Sequence, residues 1–179
     1  MPDEILFLEG YKSTYELPNG KTVEFRPLLP SDEFAYRNFF YSLQEKTIYF
    51  RFFYKMKLFS HEVIQRQWAS VDYRKNMSLI GLVQKAGYKE IMAIGSYADD
   101  GDRAEVAFVV REDYQNMGVA SRLLSLLEAI AKENRYEGFN ATVLAENTAM
   151  LQVFKKRYPH AKISMGSDGD VSILMYFAD

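Results

Sequence analysis

Apolar and polar positions alternate with a period of two over Tyr11 to Leu17 and again over Lys21 to Leu28. Between them stands Pro18-Asn19-Gly20, and Asn-Gly joining two alternating runs predicts a β-hairpin because both residues tolerate positive φ. In the second run Val23 and Phe25 share one face and Glu24 and Arg26 the other; Pro27 and Pro30 then end the strand. Ser31 is placed to cap a helix, with Asp32 and Glu33 in a first turn that suits the helix dipole. That helix, carrying Phe34 and Leu43, runs to about Gln44. Thr47 to Tyr54 reads as a second short helix or turn, and Ser60 caps a third through Val63, Ile64 and Trp68.

From Met77 the period changes. Ser78 to Gln84, Ile91 to Ala98 and Glu105 to Arg111 read as strands, separated by turns at Lys85-Ala86-Gly87 and Asp99-Asp100-Gly101-Asp102. Such short connections imply antiparallel neighbours. Gly118 to Glu133 carries the clearest helical pattern, with Val119, Leu123, Leu126, Leu127 and Ile130 spaced to form one apolar face. A strand from Phe139 to Ala145 follows, then a helix from about Asn147 to Arg157 that buries Met150, Val153 and Phe154. Lys162 to Met165 and Val171 to Phe177, joined by Gly166-Ser167-Asp168-Gly169, predict a closing hairpin. With no repeat, linker or low-complexity stretch, residues 1–179 read as one domain of mixed α/β (α+β) type. Residues 1–20 form an N-terminal extension and the first hairpin strand.

Composition narrows the chemistry. The chain has 179 residues, 48% of them apolar, enough for a full core. Its net charge of −2 offers no basic field to nucleic acid, and no apolar run reaches the ~20 residues of a membrane span, so a cytoplasmic protein is expected. Without cysteine there is no disulfide, thiolate metal site or cysteine nucleophile. The two histidines, His61 and His160, sit in no supporting motif, and no metal is expected. Of the 13 Tyr and 13 Phe, 11 crowd between Phe34 and Phe59, beyond what one helix face can bury, so part of that region is expected to line a groove.

The candidate chemistry lies between Glu105 and Leu124, where a strand ends, a short polar loop follows, and Gly118 opens the amphipathic helix. A first helical turn leaves backbone N–H groups unpaired and partly positive. A glycine there lets an anion approach, and Ala120 and Ser121 keep the approach clear. Taken alone, the same glycine reads more simply as a device of turn geometry. However, Gln115-Asn116-Met117-Gly118-Val119-Ala120 resembles the Gln/Arg-x-x-Gly-x-Gly/Ala signature of the GNAT superfamily of N-acetyltransferases. Asn147-Thr148-Ala149-Met150 resembles a second segment of that family, and the order of elements from Thr22 to Phe177 resembles its fold. The opening Val23-Glu-Phe-Arg-Pro-Leu-Leu-Pro-Ser-Asp-Glu, with Tyr49-Phe-Arg-Phe-Phe, looks closest to the acetyltransferase domain of bacterial protein lysine acetyltransferases.

The resemblance implies a GNAT fold with a mixed, mostly antiparallel central sheet flanked by helices. It implies that acetyl-CoA is the cosubstrate and that Gln115, Met117, Gly118, Val119, Ala120 and Ser121 form its pyrophosphate site. Gln115 stands where other members carry Arg, so backbone donors are expected to dominate. Val109 and Val110 would flank a splay of strands that holds the pantetheine arm, and Asn147 would hydrogen-bond that arm or serve only as a helix cap. Glu105 matches the general base of many members. At the head of a buried strand it is expected to be half-desolvated, which raises a carboxyl pKa and suits it to accept a proton. The competing reading is a solvated strand-end carboxylate.

A Tyr that protonates the departing thiolate in many members is replaced by Phe154, and Tyr158 lies four residues on. Tyr49, Arg51 and Tyr54 are the groove candidates because they carry polar tips. The function expected is therefore transfer of an acetyl or other short acyl group to a primary amine, preferably protein lysine, by direct attack. The alternatives are a small-molecule amine acceptor and a non-catalytic acyl-CoA-binding regulatory module. A dinucleotide-binding fold is disfavoured by the antiparallel order before Glu105. The final hairpin, with Val171, Ile173, Met175 and Phe177 alternating, is a candidate surface for a homodimer.

Overall fold

The computed structural model describes residues 8–52 and 72–178. Eight strands form one sheet: β1 (Ser13–Glu16), β2 (Thr22–Pro27), β3 (Asn76–Lys85), β4 (Tyr88–Asp100), β5 (Arg103–Val110), β6 (Gly138–Leu144), β7 (Lys162–Met165) and β8 (Asp170–Tyr176). The described helices are α1 (Glu33–Ser42), α2 (Glu45–Phe52), α3 (Val119–Glu133) and α4 (Thr148–Arg157). The strand order is β1-β2-β3-β4-β5-β6-β8-β7. Every pairing is antiparallel except β5 with β6. The expected third helix and His61 lie outside the described residues.

The sheet has two covered faces. Val106, Phe108 and Val110 of β5 join Ala141 and Val143 of β6 and Val171, Ile173 and Met175 of β8 beneath α3 and α4. On the other face Ile80, Ile94 and Val109 pack against Phe39 and Phe40 of α1. Of the apolar residues on α3, Leu124 is fully buried, whereas Leu126 of the expected stripe is only half-buried. Gly95 lies opposite Phe108 in the ladder, and a Cβ on it would stand 2.8 Å from the Phe108 ring. A glycine there lets Phe108 lie across β4 and meet Phe154 at 5.9 Å between ring centres.

Two sequence expectations change. Ser31 does not cap α1; the chain makes a short 3-10 turn over Pro30–Asp32 and the helix starts at Glu33. The Asp32 carboxylate is drawn back to Arg26, accepting two hydrogen bonds of 2.7 Å, and accepts a third from the Leu29 N–H at 2.8 Å. A charge-assisted bidentate pair is stronger than a neutral cap and wins the competition. The closing hairpin also behaves differently. It joins the sheet through its second strand, β8, so Val171, Ile173 and Met175 are 3%, 1% and 0% exposed. That apolar face is spent on the core, not offered to a partner; the free edge is β7, where Ile163 and Met165 are exposed.

Candidate active site

Strand β5 behaves differently towards its two neighbours. It pairs with β4 from Asp100–Arg103 to Ala93–Val110 without interruption. It pairs with β6 only at Arg103–Gly138, Ala104–Phe139 and Glu105–Asn140. Beyond Glu105 the two parallel strands part, and a cleft of about 580 Å3 opens between them, a size that suits a cofactor arm. Its walls are Val106 to Val110 on one side and Thr142 and Val143 on the other, with Phe154 between. The Arg111 N–H is bonded back to Met92 of β4 at 2.9 Å, so the backbone groups of the alternate residues Val106, Phe108 and Val110 point the other way, into the split.

One end of the cleft is closed by the loop before α3. Asn116 and Gly118 both have positive φ, 62° and 81°. No amide N–H from Asn116 to Ser121 meets an acceptor among the described residues; the helical ladder begins with Arg122 donating to Gly118 at 3.0 Å. Six consecutive donors at a helix start form a concave, positive surface suited to a phosphate. At Gly118 a side chain would be strained by the left-handed backbone and would meet the Tyr15 Oη at 3.3 Å. Gln115, Gly118, Val119, Ala120 and Ser121 all line the cleft, as does Asn116, which sequence reasoning did not single out. The Met117 side chain instead faces the β1–β2 hairpin, accepting from the Asn19 Nδ2 at 3.8 Å.

The Gln115 side chain is committed elsewhere too. Its Nε2 donates to the Val110 carbonyl at 2.9 Å, tying the loop to the end of the split strand. Arg111 supplies a second tether that sequence reasoning missed. Its guanidinium bonds Asp113 at 2.7 and 3.1 Å and Glu90 of β4 at 3.2 Å. Burial raises the carboxyl pKa of both acids, but their hydrogen bonds to Arg111, joined at Glu90 by Lys85, hold both below their ordinary values. The signal lay in Arg111-Glu112-Asp113, an opposite-charge pair two residues apart at a strand end. Glu112 accepts from the Gln44 N–H at 2.7 Å and so joins this loop to the start of α2.

The far wall is built by α4 and α2. Asn147 caps α4, accepting from the Met150 N–H at 3.4 Å, and also lines the cleft. Phe154 is 1% exposed against Phe108. Tyr158 is buried and donates to Glu128 at 3.0 Å, and desolvation together with that carboxylate pushes its phenol well above the usual range. It is held away from the cleft.

Gln44, Lys46, Thr47, Phe50 and Arg51 complete the opening on the α2 side. Arg51 also borders a second hollow of about 260 Å3 on that face, where the Ser78 and Ser96 hydroxyls meet at 2.8 Å. Of the three groove candidates, only Arg51 is brought to the cleft. Tyr49 is 39% exposed and is not part of its wall, and Tyr54 lies outside the described residues.

Glu105 stands at the fork, the last position where β5 and β6 still pair. It is exposed, not half-desolvated as expected. By register it shares with Ala107 and Val109 the face covered by α1 and α2, opposite to the face of α3.

A parallel pair that splits beside a helix start rich in free amides makes a cleft suited to an elongated ligand that carries phosphate. The Acetyltransferase (GNAT) family model matches residues 39–158, and the chain belongs to that family of acetyl-CoA-dependent N-acetyltransferases. An acetyltransferase of Pseudomonas aeruginosa is 30% identical over 146 residues, 80% of this chain and 77% of its own. The GNAT domain of Streptomyces lividans PAT superposes with a TM-score of 0.81 at 27% identity, over 94% of this chain and 98% of that one. YncA of Salmonella typhimurium, a putative acetyltransferase solved with its cofactor acetyl-CoA, shares the fold at a TM-score of 0.68 and 13% identity, over 88% and 94% of the two chains. Among the described residues there is no group of His, Cys, Asp or Glu placed to hold a metal, and no helix long and apolar enough to cross a membrane.

Proposed function

We propose that this protein acetylates lysine amines of proteins, with Glu105 as general base and the Asn116–Ser121 amides holding the cofactor pyrophosphate. The observation that carries the reading is the fork. Glu105 sits where the strands part, on the face opposite α3, so coenzyme A threads the split from the α3 side and an amine reaches the thioester from the α2 side. The backbone groups of Val106 and Phe108 face the arm within the split, while Asn147 steadies it at the rim.

The chemistry needs a neutral amine. Its nitrogen attacks the thioester carbonyl, the new C–N bond forms, the C–S bond breaks, and the amine proton passes to Glu105 directly or through a water. The leaving thiolate takes its proton from solvent, because Phe154 has none to give and Tyr158 is bound to Glu128. A free thiol with a pKa of ~8.5 is a tolerable leaving group without an acid. An open approach on the exposed Glu105 side suits a side chain presented by a folded protein.

Glu105→Gln tests the assignment. Transfer to a lysine peptide should fall by about 100-fold or more while coenzyme A affinity stays within about two-fold. Unchanged transfer would remove Glu105 from the mechanism. Phe154 favours a second reading, an acyl-CoA-binding regulatory module without turnover. Coenzyme A binding by the unsubstituted protein with no acetyl transfer to lysine peptides, whole proteins or small amines would select it.

A further inference from the structure

The pyrophosphate loop has donors but no cation. From Gln115 to Ser121 there is no Lys or Arg, and the residues just before it are acidic, Glu112 and Asp113. Coenzyme A brings a pyrophosphate and a 3′-phosphate, several negative charges in one place. Neutral amides solvate such charge but do not balance it.

Positive charge reaches the loop from two other elements. The tip of the β1–β2 hairpin lies against it: Asn19 bonds Met117, and the Lys21 Nζ stands 3.5 Å from the hydroxyl of cleft-lining Tyr114, 5.7 Å from its ring centre. Lys21 has no carboxylate within ion-pair distance among the described residues. On α3, Arg122 lies one turn beyond Gly118, and helical side chains lean towards the N-terminus, so it leans back over the loop. Its guanidinium is 5.8 Å from the ring centre of Tyr15, the residue whose hydroxyl approaches Gly118. Its Nε is buried without a hydrogen-bond partner, an uncompensated cost unless a ligand draws the group into use.

We infer that the β1–β2 hairpin is part of the cofactor site, with Lys21 and Arg122 balancing the phosphate charge of coenzyme A. Resting on the assignment of Asn116–Ser121 to the pyrophosphate, this extends the site to residues 13–27, which precede the segment matched by the family model. Tyr15, between Gly118 and Arg122, holds the hairpin to the helix and orients the arginine.

Calorimetric titration of the full chain with coenzyme A and with dephospho-coenzyme A, which lacks the 3′-phosphate, tests it. Lys21→Ala and Arg122→Gln should each raise the dissociation constant for coenzyme A roughly 5- to 20-fold and flatten its dependence on salt by about one charge. Lys21→Arg should restore binding. A variant equally weakened towards both ligands places its cation on the pyrophosphate; one weakened only towards coenzyme A places it on the 3′-phosphate. Thermal melts separate misfolding from lost contact at Arg122, and the Lys21 variants, on an exposed turn, stand without that concern. Unchanged affinity and salt slope in both Ala and Gln variants would overturn the inference while leaving the loop assignment intact. Failure of the unsubstituted chain to bind coenzyme A would instead remove the loop assignment itself.

Discussion

Strand β5 presents two edges, and they do opposite things. Towards β4 it is laddered along its whole length, with Phe108 pressed over Gly95 and Val109 set against α1. Towards β6 it pairs for three residues and then releases its partner. The first edge holds the strand rigid; the second leaves backbone donors and acceptors free at a fixed place. Unpaired backbone groups are costly in an interior unless a ligand or water meets them. Withholding hydrogen bonds on one edge of a strand that the other edge immobilises leaves a polar-lined cleft suited to a ligand.

Substitutions on the two edges should therefore fail in different ways. Phe108→Ala attacks the rigid side and should lower stability by about 3–5 kcal/mol, read by denaturant melts. Gly118→Ala attacks the site at its most constrained backbone position. It should cost about 1–2 kcal/mol of stability through the positive φ and weaken coenzyme A binding by roughly 10-fold or more. Gln115→Ala should leave stability almost untouched while freeing the Val110 carbonyl and loosening the loop, a loss of about five-fold in coenzyme A affinity. A Gln115→Ala variant that unfolds readily but binds normally would reverse the distinction between the edges.

The smallest effect concerns pH. Glu90 and Asp113 are held below their ordinary pKa by Arg111, so their contribution is complete above the usual carboxylate range and lost as pH falls through the lowered folded values. Both groups are partly exposed, and solvent screening keeps the effect small. Arg111→Met should lower the melting temperature slightly at neutral pH and make no difference under strongly acidic conditions. An equal loss at both would show that Arg111 acts by packing on Tyr114.

The strand–loop–helix side of the cleft was legible in sequence because its parts are local. A strand end, a glycine and a helix start fall within Glu105 to Leu124, and backbone function follows from backbone shape. What sequence missed there was tertiary: Gln115 turned towards Val110, Met117 turned towards the hairpin, and Arg111 reaching Glu90 across the sheet. The α2 side of the cleft was harder to read. Its wall gathers Gln44 to Arg51 with strands far along the chain, so polarity alone brought forward Tyr49, which faces solvent, beside Arg51, which reaches the cleft. Ser31 had the spacing of a cap, but Arg26 on a neighbouring strand claimed Asp32 and moved the helix start. The closing hairpin was read as two strands, and its alternation was real; only the sheet order shows that β8 is interior.

The parted strands and the amides above them are proposed to hold coenzyme A. Calorimetric titration with acetyl-CoA and with free coenzyme A measures this directly. Saturable binding of both, one ligand per chain with a dissociation constant of about 1–100 μM, is expected. No heat from either ligand at ~1 mM, with the chain folded, would contradict it.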